Sequence, residues 1–283
     1  MMRRSRGAAL ILVLMVVGIL GLLSLQMGLS AKEHVARADR LQARTEALLR
    51  LQSSEAALVF SLLTEPWVTV EEGATDNPYV AGWNFRGEPF EVDGIRYAIQ
   101  DVKGLLVVPQ ATDSALAFER LLRGAGIESA RVRRIVDALR AEQDPKFRPV
   151  NVNERPVPWQ SLDELRGLGG LTEAEFEQIK PWLSLYPTAE FNPATAPPAV
   201  LATRYDPSIV ETLTALQSRN ELDGNAFLRV TGLGDDEFTV FYPGPALRVS
   251  TERREPQFRL RRETTLVLRP YEGEPVQLWG RRQ

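Results

Sequence analysis

The feature that most constrains this chain is an apolar run near its N-terminus that contains no charged side chain. It covers residues 8–29, and a helix of that length is about 33 Å long, enough to cross the hydrocarbon core of a bilayer. Arg3, Arg4 and Arg6 precede the run, and a basic cluster beside the first apolar segment stays in the cytoplasm. The sequence therefore predicts a single-pass membrane protein with a cytoplasmic N-terminus and an exported C-terminal bulk.

A removable secretory signal is the alternative interpretation of this run. The apolar region of such a signal is about 7 to 15 residues long and is followed by a small-x-small cleavage site. The candidate site at Ala31 has Leu29 three positions before the cut, which matches that pattern poorly. The run is therefore interpreted as a retained anchor.

The residues after the run extend the same helix. Residues 30–64 contain no Gly or Pro and many good helix formers, and their apolar residues recur at helical spacing. These apolar residues include Val35, Leu41, Leu48, Leu51, Leu58 and Leu62. The pattern predicts one helix over residues 8–64, on the order of 85 Å long, which ends before Pro66.

Composition narrows the function classes. The chain has 283 residues, a net charge of −3 and no cysteine. Domains that bind nucleic acid are usually basic, so nucleic acid is not expected as a partner. The single histidine, His34, has no nucleophile beside it in sequence, and no zinc, P-loop or Gly-x-Ser-x-Gly pattern occurs. The sequence predicts a protein that is not an enzyme, with no cofactor and no metal site.

Strand patterns occur at both ends of the exported part. Residues 95–101 and 105–108 are apolar and β-rich, and residues 102–104 between them predict a hairpin, with residues 90–92 as an edge. The C-terminal strand patterns cover residues 246–251, 257–268 and 276–279. These strands are expected to pair with the first hairpin, because residues 258–266 alternate clearly enough for one buried face.

The segment between the strands has helical patterns. The predicted helices cover residues 115–122, 129–141, 161–166, 172–183, 198–203 and 207–218. A helix end, a glycine-rich turn and a helix start recur at residues 121–127, 165–171 and 227–234, and Thr172 is a candidate N-cap. The predicted fold class is α+β: a long N-terminal helix, then an antiparallel sheet that a large helical insert with helix-hairpin-helix-like (SAM-like) turns interrupts.

The N-terminus resembles the class III signal of type IV pilins and pseudopilins. Gly7 is followed by Ala8, a charge-free apolar stretch and an amphipathic continuation. The resemblance implies a leader of residues 1–7, cleavage between Gly7 and Ala8 by a prepilin peptidase, and methylation. Most members of that superfamily have Glu at the fifth mature position, where this chain has Leu12. An ionised group in the membrane is costly, so it is retained where a partner charge compensates it.

A second set of motifs resembles one family, the K-type minor pseudopilins of type II secretion (the GspK family). The motifs are a Ser-Leu-Asp-Glu-Leu run at residues 161–165, Pro181, and Phe-Asn-Pro-Ala-Thr-Ala-Pro at residues 191–197. The resemblance implies a subunit at the pseudopilus tip that lacks the Glu, helps to initiate filament assembly, and has the I-type and J-type minor pseudopilins as partners. It also implies that the chain is anchored in the inner membrane, in contact with its lipid, and that most of the chain lies in the periplasm.

The resemblance divides the chain into five parts. They are the leader 1–7, the long helix 8–65 with its transmembrane part 8–29, the first part of a pilin-like β domain 66–111, the insert 112–242, and the C-terminal strands 243–283. Two departures concern the calcium binding attributed to some members. The Asp-rich stretch and the Asn-x-Asn element of the family are replaced here at residues 137–144 and 107–110, and no run has the spacing of a calcium loop. Residues 235–237 are interpreted as helix capping.

Besides a generic membrane-anchored domain, two other functions stay open. One is a minor pilin of a type IV pilus. The other is a membrane-anchored DNA-uptake receptor, because helix-hairpin-helix turns can bind a phosphate backbone through loop amides and nearby cations. The candidate cations are Arg123, Arg131, Arg133, Arg134 and Arg166. The acidic residues Glu173, Glu175 and Glu177 beside the second turn disfavour that function.

Overall fold

The computed structural model describes residues 5–70, 73–108, 115–143, 159, 161–234 and 237–282. It contains two compact units, residues 1–54 and residues 55–283. Helix α1 (Ser5–Thr64) is 60 residues long and contributes to both units. The long N-terminal helix predicted from the sequence is confirmed. We call residues 55–283 the head.

The C-terminal end of α1 is set by local hydrogen bonds and by the proline that follows. Pro66 lacks the backbone N–H that would continue the helix. The Thr64 hydroxyl donates to the Phe60 carbonyl at 2.9 Å, and the Trp67 indole N–H donates to the Leu62 carbonyl at 2.6 Å. These bonds satisfy carbonyl groups that the last turn of a helix leaves unpaired.

The head is built on a five-stranded antiparallel sheet. Its strands are β1 (Phe90–Val92), β2 (Ile95–Asp101), β5 (Ala246–Glu255), β6 (Phe258–Leu268) and β7 (Val276–Arg282), and this is also their spatial order. A short helix, α2 (Pro78–Gly82), precedes β1. The central pair joins distant parts of the chain, with Ile99 opposite Val249. The predicted pairing of the first strands with the C-terminal strands is confirmed.

The predicted hairpin over residues 95–108 is wrong. Residues Val102–Gly104 form a 3-10 turn rather than a hairpin loop, and the Asp101 carboxylate accepts from the Lys103 backbone N–H at 3.1 Å to cap it. The chain then enters β3 (Leu106–Val107), which pairs in parallel with β4 (Leu183–Ser184). Leu106 and Val108 of this run are buried in the core of the insert, so their hydrophobicity does not report pairing with β2.

The segment between β2 and β5 is mainly helical. Its helices are α3 (Ala115–Gly124), α4 (Ser129–Gln143), α5 (Glu173–Ile179), α6 (Pro198–Leu201), α7 (Pro207–Ser218) and α8 (Gly224–Thr231). Phe118, Leu122, Val132 and Phe176 have no solvent exposure, and they belong to one hydrophobic core with most of the other apolar residues of the segment. The α+β fold class predicted from the sequence is confirmed, and the β3–β4 pair is an addition that the patterns did not predict.

Three predicted helices of the insert are shorter than expected, and one of them, predicted over residues 198–203, ends at Leu201. Residues 161–166 contain a 3-10 helix, Leu162–Leu165, with a capping box between Ser161 and Glu164. The predicted helix 172–183 ends at Ile179 and continues as a 3-10 turn, Lys180–Trp182, because Pro181 cannot extend an α-helix. Thr172 caps α5 as predicted: its hydroxyl accepts from the Glu175 backbone N–H at 3.3 Å.

The glycine-rich turns have different structures. The turn between α3 and α4 is a true helix-hairpin-helix connection, with Gly126 at φ +85°. In the second turn, a Cβ on Gly169 would lie 2.5 Å from the Ile135 Cα, so only glycine allows this turn to contact α4. The third turn is not of this kind, because α8 ends at Thr231 with Gly232 as its C-cap, and no helix follows in residues 233–234 or 237–282. The predicted cap at residues 235–237 involves Asp235 and Asp236, which lie outside the described residues.

Candidate functional site: the anchor segment and two joints of the head

The N-terminal part of α1 has the surface of a membrane span. Among the described residues, it is the one helix long and apolar enough to cross a bilayer, with a mean hydropathy of 2.3 in its most apolar window. Its large apolar side chains are exposed, from 46% at Val16 to 74% at Met27. An uninterrupted apolar surface of this size needs lipid or other helices to cover it.

The three residues singled out for processing and assembly lie in this segment. Gly7 and Ala8 are in the first turns of α1, and Leu12 is one turn further along. Cleavage between Gly7 and Ala8 and the role of Leu12 stay predictions. Arg3 and Arg4 lie outside the described residues.

The first joint of the head connects the last turns of α1 to the sheet. Glu55 forms an ion pair with Arg262 of β6, whose side chain is only 4% exposed, and it accepts a hydrogen bond of 2.7 Å from the Thr251 hydroxyl of β5. Leu58 and Leu62 lie on the same side of the helix and are fully buried. We call Glu55, Thr251 and Arg262 the ionic joint.

The second joint connects the sheet to the insert and is centred on Asp101, the last residue of β2. Its carboxylate is completely buried. One oxygen accepts from the Asn192 amide at 2.9 Å and the Thr195 hydroxyl at 3.0 Å, and the other accepts from the backbone N–H groups of Lys103 and Gly244, both at 3.1 Å. We call Asp101 and its four donors the neutral joint, because all four donor groups are uncharged.

The ionisation of Asp101 is governed by its burial, because no cation pairs with it among the described residues. Burial raises the pKa of Asp101, and the hydrogen bonds from Asn192, Gly244, Lys103 and Thr195 oppose that increase. A buried carboxylate costs free energy unless its lone pairs are satisfied, and four donors satisfy them here. The joint therefore fixes three parts of the chain to one another: the end of β2, the loop before α6, and the residues before β5.

Glutamine amides hold the remaining backbone of this loop. The Gln217 amide of α7 donates to the carbonyl groups of Pro193 and Ala196 at 2.5 and 2.9 Å, and the Gln100 amide of β2 donates to the Thr195 carbonyl at 2.9 Å. The motif at residues 191–197 is therefore the loop that docks the insert onto the sheet. The sequence indicated that loop, but it did not indicate the side chains that bind it, which are those of Asp101, Gln100 and Gln217.

The helix-hairpin-helix region uses its cations internally. Arg131 makes two hydrogen bonds of 2.7 Å to the Glu175 carboxylate, and these lower the pKa of Glu175 to about 2. Arg166 pairs with Asp163, Glu173 and Glu177, and Arg123 pairs with Glu119. Of the five candidate DNA-binding arginines, Arg133 and Arg134 alone have no ion pair with any residue that the structure describes.

One amide group in each of the first two glycine turns is also occupied. Gly126 donates to the Arg123 carbonyl and Gly170 to the Gly167 carbonyl, at 2.9 and 3.2 Å. A phosphate-binding turn needs such N–H groups to point outward and unpaired. The geometry of these turns favours helix closure over backbone binding of DNA.

Within residues 5–70, 73–108, 115–143, 161–234 and 237–282, no three His, Cys, Asp or Glu side chains are grouped to hold a metal ion. The calcium expectation stays untested.

Comparison with known proteins gives one informative likeness. No protein-family model matches the chain, and no curated protein matches its sequence. The structure is similar to a chain in the crystal structure of the GspK-GspI-GspJ complex from the enterotoxigenic Escherichia coli type 2 secretion system. The two share 16% sequence identity with a TM-score of 0.56, over 87% of this chain and 98% of that chain. At this identity the likeness shows a shared fold, and it extends over almost the whole of both chains.

Proposed function

We propose that this chain is a minor pseudopilin at the tip of a type II secretion pseudopilus, where it helps to initiate the filament that exports proteins across the outer membrane. The single observation that carries the proposal is the shared fold with a chain of the GspK-GspI-GspJ complex, over 98% of that chain. The order of the elements supports it: an apolar helix leads into an antiparallel sheet that a helical segment interrupts.

The proposed maturation involves the start of α1. A prepilin peptidase cuts between Gly7 and Ala8, and the new N-terminus is methylated. The mature helix then lies in the inner membrane with the head in the periplasm, since the basic leader residues favour a cytoplasmic N-terminus. The exposed apolar surface of residues 12–29 supports contact with lipid and with the helices of other subunits.

The proposed tip position follows from two features. Leu12 is neutral, so this subunit offers no carboxylate to a subunit ahead of it, and a carboxylate without a partner there would be costly. The helical insert lies in the sequence between β2 and β5, which are neighbouring strands of the sheet. A bulky segment at this place would obstruct stacking of another subunit. The partners proposed for this chain are the I-type and J-type minor pseudopilins.

The role proposed is structural rather than enzymatic, and it needs no cofactor and no nucleic acid. The two joints of the head serve this role. A filament subunit transmits load between its membrane helix and its head, and the ionic joint ties the last turns of α1 to the sheet. The neutral joint then ties the sheet to the insert.

The experiment that tests the proposal is intact-mass measurement of the full chain, expressed with and without a prepilin peptidase. A mature protein that begins at Ala8, methylated and dependent on the peptidase, is expected. Gly7→Ala should abolish cleavage, whereas the matched control Gly18→Ala, in the same helix with no atom within 4 Å of the added Cβ, should be processed normally. An intact Met1 with the peptidase present, or a cut near Ala31, would contradict the proposal.

Co-purification separates secretion from piliation. The full chain in detergent should form a complex with I-type and J-type pseudopilins, and it should not form one with the minor pilins of a type IV pilus. Stable association with the type IV subunits instead would favour the pilus alternative. Salt-dependent binding of duplex DNA by the chain would favour the uptake receptor.

A further inference from the structure

The face of the sheet opposite α1 carries a charged groove that the proposed function does not use. On β5, Thr251 points toward Glu55 of α1, so Ser250 and Glu252 point to the other face. A cleft of about 720 Å³ lies on that face, between the sheet and the end of α5. It adjoins a second depression over β2, β5 and β6 that shares Gly87, Ala98 and Ser250 with it.

The groove exists because small residues form its floor. Ala98 of β2 lies directly opposite Ser250 of β5, and Gly87 adds a third position without a bulky side chain. Long side chains stand on either side, since Arg96 is opposite Glu252 on β2 and β5, and Glu252 is opposite Arg261 on β6. A row of small residues flanked by long charged ones leaves a channel across the strands.

The charge of the groove is opposite to that of the chain. The net charge of the whole sequence is −3, yet basic side chains outnumber carboxylates along the groove. The basic residues are Arg86, Arg96, Lys180, Arg248, Arg259 and Arg261, and the acidic ones are Glu177, Glu252 and Glu263. A local excess of positive charge on an acidic protein selects negatively charged partners.

Within the described parts of the chain, Arg248 lacks a close carboxylate, and Arg86 lacks one hydrogen bond. The Arg248 side chain is 12% exposed and donates to the backbone carbonyls of Pro181 and Leu183, with its nearest carboxylate oxygen, on Glu263, 3.9 Å away. Burial lowers the pKa of the Arg248 guanidinium. Arg86 already pairs with Glu88 at 3.2 Å and donates to Asn220, and its buried Nε has no hydrogen-bond partner among the described residues. Of these two arginines, Arg248 therefore gains more from an added carboxylate.

Arg96 adds an exposed cation at the far end of the groove. It has no ion-pair partner in the described parts of the chain, and Arg261 is 59% exposed with its nearest carboxylate 3.8 Å away. Both guanidinium groups are therefore accessible to a ligand that lies along the channel. They differ from Arg254 and Arg259, which both pair with Glu252 at the rim.

We propose that this groove binds an extended, acidic polypeptide segment of a partner protein. Clusters of arginine recognise acidic peptide motifs through bidentate contacts to carboxylates. The interspersed Glu177, Glu252 and Glu263 accept hydrogen bonds from peptide N–H groups, and they repel a continuous polyphosphate, so a peptide fits better than nucleic acid. The inference does not depend on the proposed function, because the groove is a property of the head alone.

The test is fluorescence anisotropy with the full chain in detergent and a fluorescein-labelled oligoglutamate peptide as the probe. The wild-type protein should bind oligoglutamate in a salt-dependent manner, and it should bind oligolysine and oligothymidine more weakly. The double variant Arg96→Gln with Arg261→Gln should weaken oligoglutamate binding about fivefold or more. The matched control, Arg219→Gln with Arg229→Gln, removes the same charge from exposed positions outside the groove and should change affinity less than about twofold.

A second variant tests shape without changing charge. Ser250→Met fills the floor of the groove and should also weaken binding of oligoglutamate, while the unfolding midpoint of each variant is compared with that of the wild type. The proposal is overturned if wild type does not bind oligoglutamate, if the groove and control variants lose equal affinity, or if Ser250→Met has no effect. Tighter binding of oligothymidine with the same dependence on Arg96 and Arg261 would assign the groove to nucleic acid instead.

Discussion

The two joints of the head solve the same problem with different chemistry. In the ionic joint, Glu55 has a cation, Arg262, as its partner and one hydroxyl donor. In the neutral joint, Asp101 has four uncharged donors and no cation paired with it among the described residues, and its side chain is more deeply buried. The difference teaches where each joint is vulnerable. A carboxylate held by neutral dipoles depends on every donor, whereas an ion pair depends mainly on its counter-ion.

The largest effect is expected at the centre of the neutral joint. Asp101→Ala leaves four buried donors without an acceptor, and the head should lose roughly 3 to 5 kcal/mol of its free energy of unfolding. The measurement is urea unfolding of the full chain in detergent, followed by tryptophan fluorescence, since all five tryptophans lie in the head. Asp101→Asn, which keeps the shape and one acceptor, should lose distinctly less. Equal losses in both variants would mean that packing, not hydrogen bonding, holds the joint.

A smaller effect is expected at the ionic joint. Arg262→Met leaves the Glu55 carboxylate, 19% exposed, without its cation, and should cost about 1 to 3 kcal/mol of the free energy of unfolding. The double variant Glu55→Met with Arg262→Met removes both charges and should recover much of that loss, because a buried ion pair is often no better than an apolar pair. Urea unfolding of the four members of this cycle gives the coupling energy. A double variant less stable than either single variant would show that the pair itself, rather than the unpaired charge, dominates.

The sequence predicted the helix and strands that the joints connect. It did not predict the side-chain contacts that form the joints. The helix over residues 8–64 and the pairing of β2 with β5 could be predicted, because periodicity and strand alternation are local properties. Asp101 is the last residue of a strand, and its partners Asn192, Thr195 and Gly244 lie 91, 94 and 143 positions away. No local pattern identifies donors at such separations. The motif at residues 191–197 signalled the docking loop only through its resemblance to a family.

The hairpin predicted over residues 95–108 is wrong because contacts between residues distant in sequence decide this region too. An apolar run at residues 105–108 fits a strand that pairs with β2 and equally fits a segment buried in another core. The capped turn at Val102–Gly104 decides between them, and a Cβ on Gly104 would lie 2.6 Å from the Thr195 carbonyl oxygen. The turn therefore depends on the docking loop, which the hydrophobic pattern does not contain.

A fall in pH should change the free energy of unfolding with opposite signs at Asp101 and at the partly buried ion pair of Glu175 with Arg131. The folded state raises the pKa of Asp101 above 3.8 through burial. The stability linked to its proton is therefore complete below the unfolded pKa and is lost as pH rises through the folded pKa. Glu175 shows the reverse, because hydrogen bonds from Arg131 lower its pKa from 4.5 to about 2. Its contribution is present above 4.5 and is lost as pH falls toward about 2.

Two variants measure these opposite trends. The free energy of unfolding of wild type minus that of Asp101→Asn should decrease as pH rises from about 4 to about 7. Wild type minus Glu175→Gln should stay level over that interval down to the ordinary glutamate pKa, and should then decrease as the pH falls further. Urea unfolding at each pH provides both differences. Parallel profiles for the two variants would show that Asp101 is compensated like Glu175, and would contradict the view that burial dominates the titration of the neutral joint.

The smallest expected effects compare one hydroxyl in each joint. Thr195 donates to Asp101 at 3.0 Å, and Thr251 donates to Glu55 at 2.7 Å. Valine has the same shape as threonine and lacks the hydroxyl, so each Thr→Val substitution removes one hydrogen bond to a carboxylate. Thr195→Val should cost roughly 1.5 to 2 kcal/mol, because Asp101 has no cation to compensate the loss. Thr251→Val should cost about 0.5 to 1 kcal/mol, because Arg262 still pairs with Glu55.

These two substitutions sharpen the comparison of the joints. The length of the lost hydrogen bond and the presence of a counter-ion predict opposite orders of destabilisation. If the shorter hydrogen bond were the stronger contributor, Thr251→Val would be the more destabilising change. If the lack of a cation decides, Thr195→Val is the more destabilising, even though its bond is longer. Urea midpoints of the two variants at neutral pH distinguish these cases, and high salt should narrow the difference, since screening weakens the pair of Glu55 and Arg262 more than the bonds of Asp101 to neutral donors.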